Sequence, residues 1–354
     1  MSEPTDTHRD RGGPAQPLVI ASDLTRHFAV RRGLFSKGDA VRAVDGVSFT
    51  VEKGETLGIV GESGCGKSTT ARLLVGLIGL DKGEIVLDGE KLGTDLKLKD
   101  LWDDVQMVFQ DSWASLNPRL TIEETIAFGP KMRGVAAKDA RRLAHELLER
   151  VGLAPARFAG RYPHELSGGQ RQRINIARAL AMKPRLIILD EAVSALDKSV
   201  EAQVLNLLAD LKAEFGLTYV FISHDLNVVR FVADRIMVMY LGEVVEIGPV
   251  DAVWERRAHP YTAALFAAMP SMDPDHRTEK PPLAGDPPNP INPPSGCRFH
   301  TRCQYAEDVC AARAPKTCPV GDIASHVAAC HMLDPQSGHS KAGASPTLVL
   351  EAAQ

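Results

Sequence analysis

Two short stretches of this chain have the composition of phosphate cradles. Residues 61–69 read GESGCGKST and fit G-x-x-x-x-G-K-[ST] through Gly61, Gly66, Lys67 and Ser68. Glycines let consecutive amides turn inward toward phosphate oxygens. Lys67 can reach the outer phosphates of a nucleoside triphosphate, and the Ser68 hydroxyl can ligate Mg²⁺. Glu62, Ser63, Gly64, Cys65 and Thr69 are the other nucleotide-contacting candidates of the loop; Cys65 is expected there as a small residue, not as a redox group. The second stretch, LSGGQ at 166–170, places Ser167, Gly168, Gly169 and Gln170 at the start of a polar helix. Its glycine backbone and serine hydroxyl also suit an anion. Two cradles in one chain raise the question of whose phosphate the second one holds.

The acids and bases that could act on such a phosphate end apolar runs. LIILDE at 186–191 finishes in Asp190, placed to hold Mg²⁺, and Glu191, placed to polarise a water against the terminal phosphate. His224 closes TYVFISH and Gln110 follows VQMVF. Gln110 is a third Mg²⁺ candidate beside Ser68 and Asp190. Strand ends are where open α/β sheets place their chemistry. SALD at 194–197, ending in Asp197, follows Glu191 at once and so belongs near the nucleotide.

Positioning these groups requires an α/β core. Buried strands are predicted at 56–61, 185–190 and 218–224, and an alternating, half-buried strand at 47–51. RIMVMYLGEVVEIG at 235–248 predicts two strands about a turn at Leu241–Gly242. A helix is predicted over 199–215, with Val200, Val204, Leu207, Leu208, Leu211 and Phe215 on its apolar face and Gly216 as its stop. Residues 121–152 also read as helical and predict a helical subdomain, about 111–165, inserted in the core. The core spans 17–255. Residues 1–16 and 333–354 read as disordered tails. Residues 256–332 form an extension whose segment 274–296 holds eight prolines and reads as a linker or an extended wrap.

The chain has 354 residues, 44% hydrophobic and 24% charged, with a net charge of −4. This is the balance of a folded globular protein and gives no global sign of nucleic-acid binding. No stretch approaches the roughly 20 apolar residues of a membrane span, and the polar N-terminus has no apolar signal region. A cytoplasmic protein is therefore expected, with any membrane association made through a partner.

The motifs together resemble the ATP-binding subunits of ABC transporters. GESGCGKST resembles the Walker A motif of that family, LIILDE its Walker B and LSGGQ its signature. Gln110 matches its Q-loop, Ser194–Asp197 its D-loop and His224 its switch histidine. Phe28, in LTRHFAV, falls where the family places an aromatic that stacks on adenine. VRRGLF, VFQDSWASLNPR, SALDKSVEAQVLNLL, HPYTAAL and GCRFHTRC extend the likeness over roughly 17–332 to the dipeptide/oligopeptide importer branch and its F-type ATPase subunit. Ala192 departs from the proline usual after the Walker B glutamate.

The resemblance implies a P-loop NTPase fold that hydrolyses MgATP to drive import, with Glu191, His224 and Gln110 catalytic. It implies a head-to-tail dimer in which the LSGGQ of one chain covers the ATP of the other. The partners implied are a second ATPase of D type, two transmembrane permease subunits and, indirectly, a periplasmic or extracellular substrate-binding protein. Together they place the chain peripherally on the cytoplasmic face of a bacterial inner membrane. Nickel, glycosides or glutathione-like peptides are the alternative cargoes. A chromosome or DNA-repair ATPase is the alternative class, disfavoured by the absence of sustained heptads between the motifs.

Five of the six cysteines crowd into the extension, as C-x5-C-x6-C-x7-C-x11-C. The close C-x2–4-C knuckles of structural zinc are absent, and spacing alone leaves zinc, disulfides and free thiols open. The resemblance implies a [4Fe–4S] cluster on Cys297, Cys303, Cys310 and Cys330, with Cys318 as the extra thiol. His300, His326 and His331 read as solvated, with replacement ligation as the alternative.

Overall fold

The computed structural model describes residues 16–30, 39–269 and 285–343. Most of the expected N-terminal tail, the second half of the C-terminal one, the VRRGLF stretch beyond its valine, and the first part of the proline-rich segment lie outside these residues.

The main sheet has eight strands among the described residues. Their spatial order is Thr317–Val320, Ile323–Ala329, Glu243–Pro249, Arg235–Tyr240, Thr56–Val60, Thr218–Ile222, Leu186–Asp190 and Val105–Val108. The last five of these run parallel. Thr56–Val60, Leu186–Asp190 and Thr218–Ile222 are buried at every position, which is why they read as continuous apolar runs rather than alternating ones. A second, four-stranded sheet contains Val19–Val30 and Asp39–Val51; here Val47, Phe49 and Val51 are buried while Ser48 is exposed.

The turn between Arg235–Tyr240 and Glu243–Pro249 has Leu241 at φ 44° and Gly242 at φ 84°, the left-handed pair that a two-residue hairpin demands. The helix Lys198–Phe215 stops at Gly216, which adopts φ 62°. Phe215 is nevertheless exposed and Val200 half-buried, so the buried face is narrower than expected and centres on Val204, Leu208 and Leu211. The 121–152 region is two helices, Ile122–Met132 and Ala137–Arg150, broken at Gly134 with φ 87°. Both pack against the helix Gly168–Leu180, so the helical unit runs past residue 165.

The extension is continuous with the main sheet rather than a separate body. Strand Ile323–Ala329 pairs antiparallel with Glu243–Pro249 through Glu246↔Ala328 and Ile247↔Val327. The Glu246 carboxylate, 1% exposed, accepts from the Ala258 and His259 amides and from His326 Nε2. In the proline-rich segment, the Pro290 carbonyl accepts from the Arg42 amide.

The sequence reading of 333–354 as a disordered tail fails over 333–343. Ser337 and His339 are buried there, His339 Nε2 donates to the Tyr305 carbonyl and the Gly343 amide donates to that of Met332. Gln16, placed in the N-terminal tail, bonds Asp88.

Candidate active site

Five of the predicted residues meet at the carboxyl edge of four parallel strands. Gly61 follows Thr56–Val60, Gln110 follows Val105–Val108, Asp190 and Glu191 end Leu186–Asp190, and His224 follows Thr218–Ile222. A cleft of about 370 Å³ lies there, lined by Ala43, Ser63, Gly64, Gly66, Lys67, Ser68, Thr69, Gln110, Glu191 and His224.

The loop needs its glycines for two separate reasons. Gly61 and Gly66 have φ 147° and 110°, and a Cβ on either would lie 2.2 Å from the Met239 carbonyl oxygen or 2.3 Å from that of Ala43. Gly64 has open space but φ 79°. Lys67 opens the helix Lys67–Leu74 and is buried; its ammonium donates to the carbonyls of Gly61 and Glu62 at 2.8 and 2.9 Å. Cys65 is buried beneath the loop, and burial pushes its thiol up, the form of an inert packing residue.

Ser68 Oγ donates to Asp190 Oδ1 at 2.9 Å. Burial pushes the Asp190 carboxyl up, offset in part by the Ser68 bond and reinforced by the charge of Glu191. A buried carboxylate beside a hydroxyl calls for a cation, and a divalent ion there would restore the ionised form. Glu191 Oε2 accepts from Gln110 Nε2 at 2.9 Å and lies 3.3 Å from His224 Nδ1. Its backbone has φ 48°, a left-handed conformation that costs about 1 kcal/mol for a non-glycine residue. An oriented carboxylate facing a phosphate cleft can take a proton from water.

The second cradle stands elsewhere. Ser167 caps the helix Gly168–Leu180 in a reciprocal box: its Oγ accepts from the Gln170 amide and Gln170 Oε1 accepts from the Ser167 amide. The Gly168 and Gly169 amides precede the intrahelical ladder. None of these residues lines the Lys67 cleft. Asp197 is exposed at the start of Lys198–Phe215, also outside that cleft. Phe28 lies on the four-stranded sheet, 38% exposed, with the Arg26 guanidinium 5.0 Å from its ring centre.

The cysteines separate into four and one. Cys297, Cys303, Cys310 and Cys330 line one small cavity of about 20 Å³, together with His259, His300, His331 and His339; Cys318 does not. Among the described residues no three candidate ligands stand at metal-binding distances. Burial pushes Cys297 and Cys330 up to about 12 and Cys303 to about 11, with neighbouring thiols adding to the rise. The histidines are not solvated: His326 and His331 are buried, the former against Glu246, the latter on the Arg313 carbonyl. His300 Nδ1 donates to the Cys297 carbonyl.

The sequence matches the family described as ABC transporter over residues 44–194 and that described as Oligopeptide/dipeptide transporter, C-terminal region, over 245–310. A probable peptide ABC transporter ATP-binding protein, y4tS of Sinorhizobium fredii, is 50% identical over 323 residues, 90% of each chain. The chain belongs to the oligopeptide/dipeptide branch of ABC transporter ATP-binding subunits. The oligopeptide transport ATP-binding proteins AppF of Bacillus subtilis and OppF of Escherichia coli are 48% and 47% identical, each over 90% of this chain and 98% and 97% of theirs. Among solved structures, the dimeric ATP-binding cassette MJ0796 bound to ADP and Pi superposes with a TM-score of 0.58 at 32% identity, covering 66% of this chain and 98% of that one. The chain is an ABC-type ATPase, and among its described residues no helix is long and apolar enough to cross a membrane.

One set of contacts had no motif to announce it. Tyr261, Arg298 and Arg302 of the extension reach back to the nucleotide loop and its neighbours. The only sequence signal was their place inside HPYTAAL and GCRFHTRC.

Proposed function

We propose that this chain energises import of di- and oligopeptides as the peripheral ATPase of a membrane complex, at the cytoplasmic face of a bacterial inner membrane. The observation that carries this reading is the joining of a complete hydrolytic cleft to an extension of the oligopeptide/dipeptide type in one continuous sheet. Its partners are a second ATPase chain of D type, two permease subunits and, through them, a substrate-binding protein outside the membrane.

The loop amides and Lys67 bind the ATP phosphates, and Phe28 stacks on the adenine. Ser68, Asp190 and Gln110 are the residues that hold Mg²⁺, which neutralises charge on the phosphate oxygens. Glu191 accepts the proton of the attacking water. Gln110 and His224 fix its carboxylate. Ser167, Gly168, Gly169 and Gln170 close over the ATP of the facing chain, with Asp197 at that junction, because they stand outside their own chain's cleft.

The four clustered cysteines are the residues that would hold a [4Fe–4S] group. The donor set, four soft sulfurs lining one small cavity, is of the chemistry such a group takes. Bound there, it would cross-link segments that already meet through hydrogen bonds such as Cys297 amide to Cys310 carbonyl and His331 to the Arg313 carbonyl, a structural rather than a redox contribution.

The test is uptake by the complete complex in proteoliposomes. Peptide uptake that requires ATP and is lost with Glu191→Gln supports the reading. Uptake of nickel or a glycoside but not of peptides overturns the cargo while leaving the ATPase intact.

A further inference from the structure

Glu62 is the second residue of the nucleotide loop, and it is held at three points. Its amide donates to the Tyr261 hydroxyl at 2.8 Å. Its carbonyl accepts from Lys67 Nζ at 2.9 Å. Its carboxylate takes both prongs of the Arg302 guanidinium, at 2.7 and 3.1 Å. Two of the three anchors therefore come from the C-terminal extension.

These anchors are rigid in their own right. Tyr261 is fully buried and the Arg302 side chain 5% exposed. Tyr240, Tyr261 and Phe299 pack tilted or edge-on with ring centres 4.5 to 5.4 Å apart, and Arg302 also donates to the Tyr240 hydroxyl. Arg298, in the same turn, donates to the Leu241 carbonyl and pairs with Asp45 and Glu243. The Gly242 amide in turn donates to the Cys65 carbonyl of the loop. Ser63 and Gly64, which line the cleft, directly follow the residue so held. A bidentate guanidinium–carboxylate pair is among the strongest orienting contacts available to a side chain.

We propose that Tyr261 and Arg302 are positioning residues for nucleotide binding: the extension sets the shape of the phosphate loop by fixing Glu62 at its amide and carboxylate. Neither touches the reacting atoms. The proposal rests on the ATPase reading and adds to it a task for the extension within the nucleotide site. A loop already shaped for phosphate binds without the cost of ordering it, so losing either anchor weakens ATP binding and spares the chemical step.

The test is ATP affinity of the full-length chain, by titration with a fluorescent ATP analogue, alongside turnover at saturating ATP. Tyr261→Phe removes one oxygen and keeps the ring. Arg302→Gln removes the charge, and Arg302→Lys keeps the charge but not the fork. Expected is a rise in Kd of about five- to tenfold for Tyr261→Phe and Arg302→Gln and a smaller one for Arg302→Lys, with saturated turnover within about twofold of wild type. In a Glu62→Ala background Arg302→Gln should add nothing further. Unchanged ATP affinity in Tyr261→Phe, or an Arg302→Gln effect undiminished in the Glu62→Ala background, overturns the proposal. Should the wild-type chain itself fail to bind the analogue, the ATPase reading falls, and the proposal with it.

Discussion

Gln110 donates from Nε2 to Glu191 Oε2 over 2.9 Å, across 81 residues of sequence. The bond joins the ends of two neighbouring parallel strands and aims one carboxylate into the cleft. Glu191→Gln should lower ATP hydrolysis by at least about 10²-fold and leave ATP binding within a fewfold of wild type. Phosphate release and nucleotide titration on the same preparation separate the two quantities. Equal loss of both would mean that Glu191 shapes the site rather than acting in it.

Gly61 predicts a stability effect that can be isolated from binding. Gly61→Ala combines an unfavourable φ of 147° with a Cβ only 2.2 Å from the Met239 carbonyl. Destabilisation of roughly 2–4 kcal/mol is expected, with loss of nucleotide binding. Gly46 is the control: φ is 79° and nothing lies within 4 Å, so Gly46→Ala should cost about 1 kcal/mol. Urea unfolding of the two variants gives the comparison.

His259 sets a pH dependence. It caps the helix Pro260–Ala267 by accepting from the Tyr261 amide at Nδ1, a role only the neutral ring can fill. Burial pushes its pKa down to about 4, against the pull of Glu246; in the unfolded chain it returns to near 6.5. As pH falls below 6.5 the unfolded chain takes the proton first. The stability due to neutral His259 is therefore complete above 6.5 and is lost progressively down to about 4, on the order of 3 kcal/mol in all. His259→Asn keeps the capping acceptor and cannot titrate, so unfolding measured at pH 7.5 and 5 should differ less in the variant.

If the four clustered cysteines hold the proposed [4Fe–4S] group, protein purified without air should carry bound iron and sulfide. Removing the iron by chelation should lower the unfolding temperature by several degrees. Cys310→Ser should abolish loading, whereas Cys318→Ser should not, because Cys318 lies outside the cavity. Iron and acid-labile sulfide assays decide this, and full loading of Cys310→Ser would remove that residue from the set.

Much of the hydrolytic cleft was legible in the sequence because its parts are local. A buried strand announces itself as an apolar run, and the polar residue that ends it is delivered to one sheet edge by topology. Gln110, Asp190, Glu191 and His224 each follow that rule. The extension was legible only as a resemblance. TCPV and IASHVAA carry no strong strand pattern; they pair with each other, and the strand that ties IASHVAA to the main sheet lies some 80 residues earlier, at Glu246 and Ile247. His326 read as solvated because its burial depends on the Glu246 carboxylate, a partner that no spacing predicts. Residues 333–343 read as a tail for the same reason: their polar groups find mates, such as Glu307 for Ser340, only in three dimensions.

The strand Ile323–Ala329 covers what would otherwise be a bare sheet margin at Glu243–Pro249. A chain ending at residue 255 would keep every nucleotide-contacting side chain named above, yet expose unpaired backbone along that margin and leave the Glu246 carboxylate without the partners it has at Ala258, His259 and His326. Such a fragment would be prone to edge-to-edge aggregation before it could turn over a single ATP. In this chain the catalytic core and its appendage share one sheet margin, and the appendage doubles as the cover of an edge that would otherwise be open.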